Sequence, residues 1–461
     1  MTEHDFDANA LASAMEGHLV TPDDGAYRHA RRVWNGMINR YPAAVAYCDG
    51  VADVRSAVRF ARENGLPVTT RGGGHGVAGN AVADGALVVD LSAMDDVRVD
   101  PEERVARVGG GAQWGDVDRE TQQFGLATPG GVVSDTGVAG LTLGGGYGHL
   151  RRAYGLACDN LRSVDVVTAD GRLVTASADR HRDLFWALRG GGGNFGVVTS
   201  FEFDLHPVAP EIETLFAWYP GEAGRAPYEF FRERAADAPR EVSVLPFYAW
   251  VPEIPEFPEA HRGDPAVAFI GCYAGDPNEG EAALAPYREF ADPLVDMSGR
   301  TTYVELQSML DADYPHGRYY YWKSLYLDEL TDDVLDLVLA AADDCPSKLT
   351  TIDLWQLGGA IADEPEGGSA FAYRDAPYGL NFEANWDDPR ESTANVEWAR
   401  EYVAKIRELD VARGEYVNFP GLHEDPAQTS FGHNVDRLES LKRDYDPENI
   451  FRGHKNIRPE A

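Results

Sequence analysis

Short apolar runs separated by glycine-rich turns fill roughly the first 205 residues. AVAYCD (near 43–49), ALVVDL (86–91), VARVGGG (105–111), VDVVTAD (164–170) and GVVTSFEFDL (196–205) all have strand length and strand composition. Between them, VADVRSAVRFARENG (51–65) puts apolar side chains at helical spacing and ends on Gly65, a helix stop. The pattern predicts an α+β fold of short strands joined by glycine-built loops. HPVAPEIE (206–213), with two prolines, reads as an exit to a second domain.

Beyond it, TLFAWYPG, VSVLPFYAWV, AVAFIGCYAG and LTTIDLWQLGGAI predict strands of an antiparallel sheet. DDVLDLVLAAADD and ANVEWAREYVAKIRELD predict helices, with acids near the front of the first turn. EYVNFPG (415–421) predicts one further strand, and VDRLESLKRDYDPENIF a closing helix and proline turn. PEIPEFPEAHRGDP (252–265) predicts an acidic surface loop.

Composition changes the picture in two ways. The 461 residues are enough for two domains with substantial cores. With 41 Lys and Arg against 76 Asp and Glu, the net charge is −35, and cations are overwhelmingly Arg. Such a surface repels itself unless counterions screen it, which predicts adaptation to a halophilic cytoplasm and argues against nucleic acid as a partner. No apolar run approaches the roughly 20 residues that span a bilayer, and the acidic start lacks the basic flank of a secretory leader, so a soluble cytoplasmic protein is expected. Cys48, Cys158, Cys272 and Cys345 are too scattered for a C-x-x-C pair, and the histidines show no ligand spacing; no metal site is expected.

The candidate chemistry lies in three glycine clusters: RGGGHGVAGN (71–80), TPGGVVSDTGVAGLTLGGGYGHL (128–150) and LRGGGGNFGVV (188–198). Consecutive glycines let backbone N–H groups converge on a phosphate, and Arg71 is a local cation beside the first cluster. A Rossmann site would need G-x-G-x-x-G between the first strand and helix; that passage holds a single glycine.

The stretch P-V-T-T-R-G-G-G-H-G (67–76), then T-P-G-G-x-x-x-x-T-G-V-A-G-L-x-L-G-G-G-Y-G (128–148), G-G-G-N-F-G-V-V-T (191–199) and Y-D-P-E-N-I-F-R-x-x-x-N-I-x-P (445–459) resemble FAD-linked oxidases. They are similar to the berberine-bridge-enzyme-like members of the vanillyl-alcohol-oxidase superfamily, and most like the 6-hydroxy-D-nicotine oxidase type. The resemblance implies a PCMH-type FAD-binding domain of two α+β subdomains over residues 1–208 (core about 38–208). It further implies a substrate domain with a large antiparallel sheet over 209–421, and a C-terminal segment, 422–461, returning to the FAD domain.

It also implies that His75 bonds FAD at the 8α carbon. Arg71, Gly72, Gly73, Gly74, Gly76, Ser134, Gly137, Gly140, Leu141, Gly144, Gly145, Gly146, Gly148, Asn194, Val198 and Asn456 would complete the cofactor site. The cysteine that gives some relatives a second tether falls at Val133, so a single linkage is expected. Leu141 stands where many plant members have histidine. On the expected strand at 415–421, Tyr416 and Asn418 would face substrate together, and Asp353 is the candidate base; Asp353 and Trp355 share one strand face. The Lys-x-Glu pattern of amine-oxidising relatives is absent. The expectation is an enzyme: an oxidase taking a hydride from an alcohol, sugar or hydroxylated secondary metabolite and giving hydrogen peroxide from dioxygen. Oxidation of a C–N bond, a flavin dehydrogenase and a non-catalytic flavin-binding protein stand as alternatives.

Overall fold

A computed structural model describes residues 6–453 and 455–459. Among the described residues four sheets organise the chain. The first contains His18–Val20, Ala44–Tyr47, Leu87–Asp90 and Val68–Arg71 in that spatial order. Its last three strands are parallel, and the crossover helix Val51–Glu63 packs Val54, Ala57, Val58 and Ala61 beneath them. The second sheet is antiparallel, in the order Val97–Asp100, Val105–Gly109, Val197–Asp204, Leu161–Val167, Leu173–Ser177. His206–Pro207 then pairs with Leu126–Ala127 before the chain enters the large sheet.

That large sheet has nine strands, all antiparallel, with Pro265–Tyr273, Val242–Trp250, Thr351–Gln356, Tyr378–Trp386 and Tyr319–Leu327 at its centre. Its two faces do different work, because side chains alternate along each strand. Leu215, Phe269, Val244, Ile352, Leu380 and Leu325 point to one face and form a core with residues of the helices Ala226–Ala235, Asp332–Asp343 and Ser392–Arg407. The opposite face, carrying Trp218, Phe247, Asp353, Trp355, Glu383 and Trp322, looks into the main cavity.

Two central strands, Tyr319–Leu327 and Tyr378–Trp386, have no counterpart in the expectations above. The expected strand at 415–421 is a turn instead: the Phe419 N–H donates to the Tyr416 carbonyl at 2.9 Å. The proline-rich loop after Val251 is not simply an acidic excursion, since Phe257 is buried and packs edge-on to Trp218, ring centroids 5.1 Å apart.

The closing helix Val435–Tyr445 delivers the chain end to the first sheet. Val68 N–H donates to the Ile450 carbonyl at 2.8 Å, and Ile450 and Phe451 join the core of Val68, Leu87 and Val89. Fully buried Asp446 organises this turn, accepting from the Ile450 and Phe451 amides and from Lys442 Nζ. Among the described residues no helix is long and apolar enough to cross a membrane.

Candidate active site

One cavity of about 700 Å³ runs from the first two glycine clusters to the open face of the large sheet. At one end it is walled by Val68–Thr70, Asn80 and Gly453; Gly72 through Gly76 follow, then the segment around Gly137–Leu141, and Val198. The two loops interlock: a Cβ on Gly73 would lie 2.5 Å from Gly137 N, and one on Gly137 would lie 2.4 Å from Gly73 N. Gly76 and Gly140, by contrast, have nothing within 4 Å of where a Cβ would stand, so they leave room on the cavity side. This is a narrow, backbone-lined cradle in which a flat nucleotide cofactor fits and a side chain would intrude. Among the described residues no cluster of three His, Cys, Asp or Glu could hold a metal ion.

Other expected cofactor residues stand behind the wall rather than on it. Arg71 is turned away from the cradle: its guanidinium pairs with Asp90 and donates to the carbonyls of Ala30 (2.6 Å) and Arg32 (3.2 Å). Its charge is already answered, so it fixes the strand end at the first cluster. Asn194 donates to the Gly191 and Lys455 carbonyls and accepts from the Ile457 amide, tying the chain end to the third cluster. The Oδ1 atom of Asn456 is buried without a partner. Ser134 is engaged through both its amide and its hydroxyl with Asp311. Gly144 makes room for the turn at 416–418, since a Cβ there would overlap the Asn418 side chain, and the Gly146 amide donates to the Tyr416 hydroxyl at 3.1 Å. Close by, Gly145 and Gly148 pack on Phe371 and on the Gly130 and Gly131 carbonyls.

Tyr416 and Asn418 therefore meet through a turn, with Asn418 Nδ2 donating to the Tyr416 hydroxyl at 2.8 Å and to the Leu141 carbonyl at 3.2 Å. The Tyr147 ring stacks on Tyr416 at 4.4 Å and meets Trp355 at 5.1 Å. Burial raises the Tyr416 phenol, against hydrogen bonds from Asn418 and Gly146 that lower it, and it stays protonated at neutral pH.

Asp353 faces the cavity, diagonal to Glu383 on the neighbouring strand (Asp353 pairs with Asn381, Thr351 with Glu383). Both carboxyls are almost fully buried. Burial pushes Asp353 up to about 7, and burial together with the charge of Asp353 pushes Glu383 well above the ordinary range. Glu383 accepts from the Tyr314 hydroxyl at 3.0 Å, while Asp353 Oδ1 is buried without a partner. Two such groups share protons and titrate as a pair. Around them Trp218 Nε1, Trp355 Nε1 and the Tyr147 hydroxyl are also buried and unpartnered, aromatic walls with unspent donors.

His75 lines the cavity opposite, stacked on Trp34 with ring centroids 4.1 Å apart, and its Nε2 lies 3.0 Å from Asp135 Oδ1. Sequence reasoning missed Glu383, Asp135, Tyr147 and Trp34. The alternation Asn381-x-Glu383-x-Asn385 in YGLNFEANW could have flagged a polar face on a buried strand; nothing local could have flagged Trp34, which reaches the site from the N-terminal segment.

A backbone cradle opens onto a buried acid pair, and comparison with known proteins makes the class a flavin-dependent oxidoreductase. Residues 42–177 match the FAD binding domain family and residues 415–458 the berberine and berberine-like family. The chain is 31% identical to an FAD-linked oxidoreductase of Dictyostelium discoideum over 98% of its own length and 96% of the other's. Its structure superposes on 6-hydroxy-D-nicotine oxidase of Arthrobacter nicotinovorans with a TM-score of 0.85, at 28% identity, covering 98% and 100% of the two chains. For a glucooligosaccharide oxidase of Acremonium strictum the TM-score is 0.86, at 25% identity, with full coverage of both. The chain belongs to the berberine-bridge-enzyme-like FAD-linked oxidoreductases.

Proposed function

We propose that this enzyme is an oxidase carrying FAD bonded once, through His75, and that it oxidises a hydroxyl-bearing carbon of an alcohol, sugar or hydroxylated secondary metabolite. The observation that carries the reading is a single cavity joining the glycine cradle to the Asp353–Glu383 pair. FAD, when bound, accepts a hydride and passes its electrons to dioxygen, giving hydrogen peroxide. The protein's own part is threefold. The amides of 72–76 and 137–140 hold the cofactor. Asp353, raised to about 7 by burial against the lowering hydrogen bonds of Thr351 and Glu383, takes the hydroxyl proton as the base. Tyr416 and Asn418, fixed to each other and to the Gly146 amide, orient the substrate, while Trp218, Phe247 and Trp322 exclude water. In this reading residues 1–208 with the chain end 422–461 chiefly serve the cofactor, and 209–421 chiefly the substrate.

The unspent donors Trp218 Nε1, Trp355 Nε1 and Tyr147 Oη suit a substrate rich in hydroxyl oxygens. One observation favours a second reading: two carboxyls buried side by side are relieved of their mutual repulsion by a cation, so the pair also suits an ammonium group, which would make the substrate an amine. A peroxide assay over alcohols, oligosaccharides and cyclic amines, with anaerobic bleaching of the flavin, separates them. Bleaching by hydroxylated compounds alone is expected. Bleaching confined to amines overturns the substrate class, and bleaching without peroxide on readmission of air overturns the oxidase.

A further inference from the structure

His75 is fixed from more sides than a cavity wall needs. Trp34 stacks on it, Tyr320 stacks behind Trp34 at 3.7 Å, and Trp34 Nε1 donates to the Tyr314 carbonyl at 2.8 Å. The remaining contact is polar. Asp135 sits in the middle of the second glycine cluster, with Oδ1 3.0 Å from His75 Nε2 and Oδ2 2.9 Å from His316 Nε2. Burial alone would raise the Asp135 carboxyl, but hydrogen bonds from His316 and His75 outweigh it and hold the group well below the usual carboxylate range. It is a fixed negative charge. Its loop is held by the interlock of Gly137 with Gly73 and by Asp311, which accepts from the adjacent Ser134 amide at 2.8 Å.

We infer that Asp135 is the positioning residue for covalent attachment of the flavin: it keeps the His75 proton on Nε2, so that Nδ1 presents the lone pair that forms the bond. The inference rests on the covalent linkage proposed above. A carboxylate at hydrogen-bond distance from one ring nitrogen decides which tautomer is present. The 3.0 Å approach is an ion-pair contact outside regular hydrogen-bond geometry, and Nε2 and Asp135 Oδ1 are buried with no other partner, so a proton on Nε2 has this carboxylate alone to meet. In the attachment, the 8-methyl group of the flavin loses a proton and Nδ1 bonds to that carbon. The ring of His75 becomes cationic, with the charge of Asp135 beside it, and then releases the Nε2 proton toward half-exposed Asp135 and exposed His316. Two electrons pass into the flavin and on to dioxygen, which takes up both protons as hydrogen peroxide.

The test uses full-length protein produced with limited flavin, mixed with FAD in air, quenched in acid at intervals and read as fluorescence in the precipitated protein. Non-covalent occupancy is read separately, from flavin retained on gel filtration. Wild type should acquire acid-stable flavin, and NMR of the flavinyl peptide should place the methylene on Nδ1. D135N should bind FAD to the same occupancy but attach it at least tenfold more slowly, and D135E, which keeps the charge, should recover most of the rate. Attachment by D135N at the wild-type rate, a D135E variant as slow as D135N, or a methylene on Nε2 overturns the role of Asp135. If wild type itself holds flavin only reversibly, the covalent linkage falls, a result distinguishable from all three.

Discussion

At the scale of single residues, the acid pair sets opposite pH trends for activity and stability. Asp353 must be ionised to act as a base, so kcat/KM should rise with pH through about 7 and level off above it. Asp353→Asn should lower kcat by about 10²- to 10⁴-fold with flavin content unchanged, the span ordinarily contributed by one general base. For stability the sign reverses. Between the ordinary carboxylate range and about 7, the unfolded chain has lost this proton and the folded one still holds it. Folding therefore takes up a proton, and stability falls as pH rises, by at most about 1.4 kcal/mol per pH unit for one group. The amide of D353N carries no such penalty. Its melting temperature relative to wild type should climb between pH 5 and pH 8, measured by calorimetry; a constant difference would show that Asp353 is not protonated in the native state.

At the scale of elements, the glycine loops and the proline-rich loop after Val251, which lines the cavity through Pro252, Ile254 and Phe257, make separable predictions. Gly140 faces open space and Gly73 faces backbone. Gly140→Leu should fold with unchanged circular dichroism but lose most of its flavin, because the new side chain occupies the cradle. Gly73→Ala should lose thermal stability as well, since its Cβ must push the two loops apart. Phe257→Ala, trimming the ring that covers Trp218, should raise KM several-fold with little change in kcat. These elements also show what was legible in the sequence. Strands such as Leu87–Asp90 and Val242–Trp250 announce themselves because β-branched and aromatic runs are bounded by turns. The glycine clusters are legible because backbone chemistry needs no partner from elsewhere. Tyr319–Leu327 and Tyr378–Trp386 were not, since burial on both faces and polar residues aimed into a cavity blur the alternation that marks a strand. The turn at Tyr416–Asn418 hides for a related reason: YVNF has strand propensity, but the space left by Gly144 for Asn418 and the Gly146 amide that donates to the Tyr416 hydroxyl hold it as a turn. Phe257 shows the limit again, as an aromatic in a proline-rich acidic loop that is surface by composition and core by contact.

At the scale of the whole molecule, the charge of −35 and the placement of its cations belong together. The chain has five lysines, and three are buried against carboxylates: Lys323 with Asp425, Lys442 with Asp446 and Lys455 with Glu415. Lys348 and Lys405 are left to the surface, each over an aromatic ring. Arginines 151, 152 and 374 are likewise buried, spent on carbonyls or on Asp159. Among the described residues the buried cations are matched in number by buried carboxylates, so the outer surface keeps essentially the whole net negative charge, and its self-repulsion is what dissolved salt relieves. The screening length falls from about 10 Å at 0.1 M to about 3 Å at 1 M, so repulsion between exposed carboxylates weakens steeply with salt. The buried pairs are shielded from this screening, so the core interactions should persist while the surface repulsion fades. Raising KCl from about 0.1 M to about 2 M should therefore raise the melting temperature and retain flavin in the cradle, as read by calorimetry and by the yellow colour that stays with the protein. A melting temperature that is flat or falls with salt would assign the acidic surface to some purpose other than life in brine, and would leave the flavin site untouched.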